Sequence, residues 1–232
     1  MENIYHSRFK DAIWHNYQKE VTIGGAGGIG SWLAMYLGRI GISMRIYDFD
    51  TIDYTNLGGQ LYPEDSIGKP KVTAVRNVVN QFSGNTVRVK DCGQLDLTSP
   101  DGQDILPLTF ACFDSIAARK ALFEKWFSMY NMKRFDRPAM FFDGRMTAES
   151  FQIYCVTPKD ADKYRLTLFD DGLIPDLPCS LKATSHIGGH IGAMMTEFFT
   201  NFLTNQRQGR DERTVPFKYI YEAPLCYTQR QL

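Results

Sequence analysis

The chain has 232 residues, a formal net charge of zero at neutral pH and 13% aromatic residues. This length is enough for one large domain with its own core, and a neutral chain has no general attraction to nucleic acid or to an anionic membrane. No apolar run approaches the roughly 18 residues needed to cross a bilayer, and the N-terminus is too polar for a secretion signal. Composition therefore predicts a globular cytoplasmic protein that binds neither nucleic acid nor membrane.

The cysteines are scattered, odd in number and free of any C-x-x-C pair. They are Cys92, Cys112, Cys155, Cys179 and Cys226. This usage is typical of a reducing compartment and argues against a four-cysteine zinc site, so we expect no structural zinc.

The first half of the chain predicts helices and strands in alternation. Apolar residues spaced near one face predict a helix over residues 1–20. The strand "EVTIGG" follows, then the helix "GSWLAMYLGRIG" with Gly41 at its C-cap, and then the strand "SMRIYDFD". Such a unit predicts parallel strands joined by a right-handed crossover.

The rest of the chain continues the alternation. We predict the helix "KPKVTAVRNVVNQF", with Val72, Val75, Val79 and Phe82 on one stripe, and then the strands "NTVRVKDC" and "PLTFACFD". The helix "SIAARKALFEKWFSMY", two strands in "AMFFDGRMTAESFQIYCV" and the apolar helix "IGGHIGAMMTEFFTNFL" follow. Residues 156–183 have no clear period and predict a long functional loop, and residues 205–232 form a tail that docks as a strand or reaches a partner.

A glycine-rich loop follows the first strand. Gly25, Gly27 and Gly30 satisfy G-x-G-x-x-G, a pattern that provides a tight turn, close approach of a phosphate and close packing of helix on strand. The N-terminus of the next helix offers free N–H groups to an anion. Asp48 ends the second strand, 18 residues after Gly30, and is placed to accept hydrogen bonds from a ribose. The pattern favours a nucleotide site, and the alternative is a packing turn without ligand.

The polar segment beyond Asp48 bears on which nucleotide is bound. It contains Asp50, Asn56 and Gln60, and then Lys69 and Lys71. Lysines neutralise the phosphates of a triphosphate and its pyrophosphate leaving group, whereas a redox cofactor has no use for them here. The alternative for the lysines is the solvated start of a helix.

Asp114 ends the later strand "PLTFACFD". The carboxyl ends of parallel strands line one crevice, so Asp114 and Asp48 are expected to share it with the glycine loop. A carboxylate near a triphosphate is a natural Mg²⁺ ligand, and the alternative for Asp114 is an N-cap of the following helix.

Five motifs in this order resemble the ThiF/MoeB/ubiquitin-activating enzyme superfamily. They are "GAGGIG", "DFDTIDYTNLGGQ", "DSIGKPK", "CFDSIAARKAL" and "DGRMTAESFQIY", which span about residues 5–154. The resemblance implies an α/β fold, a Rossmann-like, mostly parallel sheet with helices on both faces, in a single domain over residues 1–232. It also implies ATP and Mg²⁺, and adenylation of the C-terminal carboxylate of a ubiquitin-like protein, a sulfur carrier or a peptide.

The resemblance assigns roles residue by residue. Gly28 matches the glycine lying against the phosphates, Asp48 the ribose acid, Lys71 the phosphate lysine with Lys69 beside it, and Asp114 the catalytic and magnesium aspartate. Asn56 and Gln60 match the polar pair of the family's N-L-x-R-Q motif. Arg8, in "YHSRF", resembles an arginine that reaches the ATP site of the other subunit, which implies a homodimer. Arg145 matches a family strand–turn only loosely.

Two departures from the family pattern are informative. Gly59, in "NLGGQ", stands where the motif usually has a phosphate-binding arginine. The absence of this arginine is expected to lower the rate of adenylation about a hundredfold unless another cation, Arg8, Arg45, Lys69 or Arg76, takes its place. The paired C-x-x-C zinc motif of many members is also missing.

Cys179 falls about where the family has its reactive cysteine and crossover loop, and His186 follows seven residues later. The alternative for Cys179 is an ordinary, partly buried cysteine. His190, on the apolar helix, is interpreted as a core or interface residue, and the other four cysteines as structural.

The sequence thus leaves three functions open. The leading one is an ATP-dependent adenylyltransferase. The second, favoured by Gly59, is a non-catalytic scaffold subunit that keeps the fold and nucleotide binding. The third is a NAD-dependent oxidoreductase, which "GAGGIG" and Asp48 permit but which leaves the lysine pair unexplained.

Overall fold

The computed structural model describes residues 4–96, 105–169 and 183–232. The α-helices in these ranges are α1 (Gly30–Arg39), α2 (Lys71–Ser83), α3 (Ile116–Asn131), α4 (Ala161–Arg165) and α5 (Ser185–Gln208). The strands are β1 (Glu20–Gly24), β2 (Ser43–Tyr47), β3 (Val89–Asp91), β4 (Leu108–Ala111), β5 (Met140–Met146), β6 (Ser150–Val156), β7 (Lys218–Glu222) and β8 (Tyr227–Gln231).

Within these residues, the strands form one sheet in the order β3-β2-β1-β4-β5-β6-β7-β8. The first five are parallel to one another, and β6, β7 and β8 continue the sheet with antiparallel pairing. The register pairs Gly24 with both Tyr47 and Ala111. The carboxyl ends of β1, β2 and β4 therefore meet at one edge, and the predicted Rossmann-like α/β fold is confirmed.

Helices cover both faces of the sheet because each face carries its own apolar cluster. On one face, Ile23 of β1 packs with α1, α2 and α5. On the other, Phe141 of β5 packs with Trp126 of α3 and Tyr164 of α4. The glycines of α5 permit close packing, as predicted: a Cβ on Gly192 would lie 3.0 Å from the backbone nitrogen of Leu33.

The prediction of a helix over residues 1–20 is wrong for the described part. A 3-10 helix covers Ile4–Phe9, and turns follow through residue 17. Rings pack on one another instead of along one helix face, with Phe9 stacked on Trp14 at 5.5 Å between centroids. Asn16 adopts a φ of 61°, a left-handed conformation that an α-helix does not accommodate.

Two further predictions are corrected, and one alternative of a third is confirmed. Phe82 of α2 is 49% exposed, although Val72, Val75 and Val79 are buried as predicted. The predicted loop over residues 156–183 contains α4 and a short 3-10 helix, and its part beyond residue 169 lies outside the described residues. The segment over residues 205–232 first completes α5 and then forms β7 and β8, so the predicted alternative that it docks as a strand is confirmed.

Among the described residues, no helix combines the length and the apolar character that crossing a membrane requires.

Candidate nucleotide site

The glycine loop turns tightly between β1 and α1. Gly25 has a φ of +91°, and a Cβ there would lie 2.9 Å from the carbonyl oxygen of Cys112. A Cβ on Gly30 would lie only 1.9 Å from the carbonyl oxygen of Gly25, so helix and turn leave no room for a side chain. At Gly27, by contrast, the nearest atom to such a Cβ is 4.0 Å away. The first and third glycines are needed by the fold, whereas Gly27 leaves the loop open to a ligand.

Asp48 is connected directly to this loop. Its Oδ2 accepts a hydrogen bond from the backbone N–H of Ala26 at 2.7 Å, and its Oδ1 accepts one from the N–H of Asp50 at 2.8 Å. Burial raises the pKa of Asp48 above its usual value, although these two hydrogen bonds and nearby Lys71 oppose the rise. Each carboxylate oxygen can accept a second hydrogen bond, so Asp48 keeps capacity for a ribose hydroxyl.

Lys71 begins α2 beside Asp48 and is 8% exposed. Its Nζ lies 2.7 Å from Oδ2 of Asp50, and its backbone N–H donates to the carbonyl of Asp50 at 2.9 Å. Lys69 is exposed and makes no ion pair in the part of the chain that the structure describes. The sequence therefore placed the lysines correctly at a helix start, but Lys71 is buried and paired rather than solvated.

The segment that carries Asn56 and Gln60 is fastened to the glycine loop. Asn56 closes a capping box with Asp53 and so serves its own turn. The hydroxyl of Tyr62 donates to the carbonyl of Ala26, and the N–H of Leu61 donates to Oγ of Ser31 at 3.0 Å. Gln60 thereby lies against Gly27, and its buried Oε1 finds no hydrogen-bond partner within the described residues.

Asp114 projects from the turn between β4 and α3. The N–H of Cys112 donates to the carbonyl of Gly24 at 2.7 Å, so this turn begins directly beside the glycine loop. The N-cap of α3 is Ser115, which excludes the alternative that Asp114 caps this helix. Asp114 is exposed, and no partner for its carboxylate occurs among residues 4–96, 105–169 and 183–232.

Two residues beside the loop could not have been identified from the sequence. A Cβ on Gly28 would lie 2.3 Å from Cε of Met146, at the end of β5. A Cβ on Gly59 would lie 3.1 Å from the Cβ of Ala183, just before α5. Trp32 adds a hydrogen bond from Nε1 to the carbonyl of Gly59 at 3.1 Å. These contacts join distant parts of the chain, and no local pattern in the sequence predicts them.

Arg8 does not reach the crevice of its own chain. Its 3-10 helix packs Tyr5 against Gly84 and His6 against Gly41, at the C-terminal ends of α2 and α1. Those helices begin at Lys71 and Gly30, so the crevice lies at their opposite ends. The 13 residues of α2 alone span about 20 Å.

The other candidate substitutes for the missing arginine differ in whether they lie near the crevice and whether they already have a partner. Arg45 is bound to Glu20 through two nitrogens, at the opposite edge of the sheet. Arg76 donates to the carbonyl of Val89 at 3.0 Å. Lys69 is therefore the candidate from that set that lies on the crevice side without a partner among the described residues.

The remaining predicted residues make contacts of their own. Arg145 is held in a buried cluster with Asp143 and Thr167. His190 packs edge-on against Tyr221 at 4.5 Å between centroids, in agreement with a core role.

The thiols divide into buried and accessible ones. Burial raises the pKa of Cys112 and Cys155 well above the usual range, as expected for structural thiols. Cys226 is exposed and Cys92 is half-buried. Cys179 lies outside the described residues, and His186 is exposed in the first turn of α5.

Comparison with known proteins agrees with this geometry. A model of the ThiF family matches residues 15–171. The chain is 29% identical over 163 residues to "Adenylyltransferase and sulfurtransferase MOCS3" of Caenorhabditis briggsae, covering 66% of this chain and 40% of that protein. It is 29% identical over 126 residues to "Ubiquitin-like modifier-activating enzyme 5" of Oryza sativa subsp. japonica, covering 46% of this chain and 30% of that protein. The chain thus spans 40% or less of the length of these curated relatives.

Solved structures share the fold at low identity. Escherichia coli MccB with ATP superimposes with a TM-score of 0.67 at 14% identity, over 100% of this chain and 71% of that one. PaaA gives a TM-score of 0.67 at 18% identity, over 94% and 66% of the respective chains. Because the family model covers more than half of the chain and the fold agrees, the chain belongs to the ThiF family, within the ThiF/MoeB/ubiquitin-activating enzyme superfamily.

Proposed function

We propose that the protein is an ATP-dependent adenylyltransferase that activates a C-terminal carboxylate. The observation that carries this proposal is the position of Lys71, a buried ammonium group 2.7 Å from Asp50 and beside Asp48 at the carboxyl edge of the sheet. A nucleotide bound through a ribose at Asp48 would extend its phosphates over Gly27 toward this cation. A redox dinucleotide would leave Lys71 with no role beyond its ion pair with Asp50.

The proposed reaction is a displacement at the α-phosphorus of ATP. A carboxylate oxygen of the substrate forms a bond to this phosphorus, the bond from the phosphorus to the bridging oxygen of the β-phosphate breaks, and pyrophosphate leaves. Charge accumulates on the phosphate oxygens, so the contribution of the protein is orientation and neutralisation of charge. Lys71 supplies the positive charge, and the N–H groups at the start of α1 supply hydrogen bonds.

Mg²⁺ fits the carboxylates available. Among the described residues no cluster of three or more metal-binding side chains occurs. Mg²⁺ at a nucleotide needs only one or two carboxylates together with phosphates and water, and exposed Asp114 offers such a ligand. Bound there, the ion would neutralise charge on the leaving pyrophosphate.

The substrate is proposed from the relatives. MOCS3 is named an adenylyltransferase and sulfurtransferase, and the second relative activates a ubiquitin-like modifier. Solved MccB structures include complexes with MccA. We therefore propose a ubiquitin-like protein, a sulfur carrier or a peptide as the substrate of this chain. A homodimer in which Arg8 reaches the partner's ATP, transfer to Cys179 and a cytoplasmic location remain predictions of the sequence.

A scaffold subunit is the second candidate, and one observation favours it. Residue 59 has no side chain, and Ala183 and Trp32 enclose its backbone. An arginine could not enter this space without displacing Ala183, so the chain has lost a phosphate-binding cation unless Lys69 or an arginine of a second subunit replaces it. Such a protein would bind ATP without adenylating anything.

Exchange of labelled pyrophosphate into ATP separates these functions. The purified chain would be assayed with Mg²⁺ and a panel of carrier proteins and peptides ending in Gly-Gly. Asp114→Asn is the test variant, and Asp136→Asn, which changes an exposed carboxylate ahead of β5, is the matched control. Adenylation predicts exchange that depends on a carrier, falls about a hundredfold in Asp114→Asn and persists in Asp136→Asn. ATP binding without exchange would favour the scaffold, and binding of NADH in preference to ATP would favour the oxidoreductase.

A further inference from the structure

A group of buried charged side chains surrounds Asp143, in the middle of β5, outside the residues assigned to the nucleotide. Asp143 is 0% exposed, and its carboxylate accepts hydrogen bonds from Arg119 of α3, from Nε of Arg145 at 2.7 Å and from the hydroxyl of Tyr164 at 3.0 Å. We call Arg119, Asp143, Arg145 and Tyr164 the buried arginine cluster. Two guanidinium groups share one carboxylate, so the cluster has a net positive charge.

One end of the cluster holds the turn that carries Asp114. Nη2 of Arg119 donates to the carbonyl of Phe113, the residue immediately before Asp114, and Nη1 donates to the carbonyl of Gly144 at 2.6 Å. Arg119 is 4% exposed, whereas Asp114 is exposed. The backbone that carries an exposed carboxylate is thus fixed by a buried side chain.

The other end of the cluster holds the chain just beyond α4. Nη1 of Arg145 donates to the carbonyl of Thr167 at 2.9 Å, and Nη2 donates to its hydroxyl at 3.0 Å. The guanidinium also lies 4.5 Å from the centroid of the Tyr154 ring. Asp143 therefore connects residue 167 with the turn at residue 114 through two arginines.

Stability alone is a weak explanation for such a cluster. Removing three charges from water costs about as much free energy as their pairing returns, and apolar residues of similar volume often stabilise a core better. What this arrangement offers is geometry, because a guanidinium donates in two fixed directions to two acceptors, which an ammonium group does not.

We propose that Arg119 and Arg145 are positioning residues, joined by Asp143, that hold the turn bearing the Asp114 carboxylate and the segment at residue 167 in one fixed relation. This inference rests on the proposed function, because it assigns Asp114 to Mg²⁺·ATP. The cluster would keep Asp114 aimed at the metal and phosphates while its buried positive charge favours anions at this edge of the sheet. It touches neither ATP nor the carboxylate of the substrate.

The test is a double-mutant cycle between Arg119→Lys and Asp114→Asn. Its readout is the ratio of the ATP dissociation constants measured by titration calorimetry in EDTA and in Mg²⁺, which reports on the metal rather than on the fold. Arg119→Lys keeps the charge and most of the volume, so the protein should remain folded. Arg45→Lys is the matched control, because Arg45 also binds a carboxylate through two nitrogens but lies at the opposite edge.

In the wild-type background, Arg119→Lys should reduce the magnesium enhancement of ATP binding by about fivefold. In the Asp114→Asn background, the same substitution should leave the enhancement unchanged. Losses that multiply in the double variant, or an enhancement unchanged in Arg119→Lys, would overturn the inference. Failure of the wild-type chain to bind ATP would overturn the proposed function and this inference with it, whereas the two preceding outcomes leave the proposed function standing.

Hydrogen exchange measured by mass spectrometry tests the coupling without any ligand. Arg145→Lys should accelerate exchange at residues 164–169 and, through Asp143, at residues 113–115. Arg45→Lys should accelerate neither segment. Unchanged exchange at residues 113–115 in both Arg119→Lys and Arg145→Lys would contradict the proposed linkage.

Discussion

Ala183 lies directly against Gly59, so that a Cβ on residue 59 would be 3.1 Å from the Cβ of Ala183 and 3.4 Å from its carbonyl oxygen. This contact gives a structural reason for the glycine in "NLGGQ", where the family pattern has an arginine. The residue that leads into α5 occupies the space through which an arginine side chain would leave the backbone. Substitutions at Gly59 and Ala183 are therefore expected to have effects that depend on each other.

Restoring the arginine alone should fail. Gly59→Arg is expected to lower the free energy of unfolding by about 1 kcal/mol, because Ala183 must shift to admit the side chain. In the double variant Gly59→Arg/Ala183→Gly, most of this loss should return and the affinity for ATP should rise above that of the wild type. Thermal unfolding and ATP titration of the three proteins measure both effects. An increase of ATP affinity and stability in Gly59→Arg alone would contradict this account.

Substitutions at Gly27 and Gly30 should separate an effect on stability from an effect on ATP binding. Gly30→Ala should destabilise the protein by more than about 3 kcal/mol, because its Cβ would lie 1.9 Å from the carbonyl oxygen of Gly25. Gly27→Ala meets nothing closer than 4.0 Å and should change the stability by less than about 0.5 kcal/mol. If phosphates lie over Gly27, the added methyl group should nevertheless weaken ATP binding about tenfold. Denaturant unfolding and ATP titration distinguish the two variants. Unaltered ATP binding in Gly27→Ala would contradict the placement of the phosphates over Gly27.

Lys71 should affect the nucleotide more than the fold. Its partner Asp50 has a side chain that is 52% exposed, so Lys71→Met leaves a carboxylate that water can solvate, at a cost of about 1 kcal/mol or less. Pyrophosphate exchange should fall about a hundredfold, because a cation facing the transition-state charge is lost. Lys90→Met, which changes an exposed lysine on β3, is the matched control and should retain full exchange. Equal activity in the two variants would show that Lys71 does not act on phosphate.

The parts of the site that the sequence predicted are those encoded by local signals. The glycine spacing, Asp48 at the end of β2 and Lys71 at the start of α2 are each adjacent to a regular element whose period can be read from the chain. Parallel pairing then brings the strand ends together without further information. This is why Asp114 could be placed at the same edge although it is distant in the sequence.

The parts that escaped prediction depend on contacts between distant segments. Met146 against Gly28 and Ala183 against Gly59 arise from how β5 and α5 pack on the loop, which no spacing reports. Burial of Lys71 was missed because an ion pair with Asp50 lets a charged side chain enter an apolar setting. The N-terminal segment was predicted as a helix because its apolar residues repeat at helical spacing. Instead, Phe9 stacks on Trp14 and His6 packs on His15, and these ring contacts accompany a chain of turns.

That N-terminal segment should loosen in mild acid. His6 and His15 are both buried, with ring centroids 5.4 Å apart, and burial together with the neighbouring His15 lowers the pKa of His6 below its ordinary value of 6.5. A histidine whose pKa is lowered by folding binds a proton more readily when the segment is undocked. Its contribution to stability is therefore complete above about pH 6.5 and is lost as the pH falls below that value. The docked segment should therefore lose stability between pH 7.5 and pH 5. Trp14, whose ring lies 6.0 Å from that of His15, should report the change as a shift in fluorescence. The shift should disappear in Trp14→Phe, which removes the reporter, and should flatten in His6→Gln, which cannot titrate; a pH dependence of equal size in His6→Gln would assign the transition to another group.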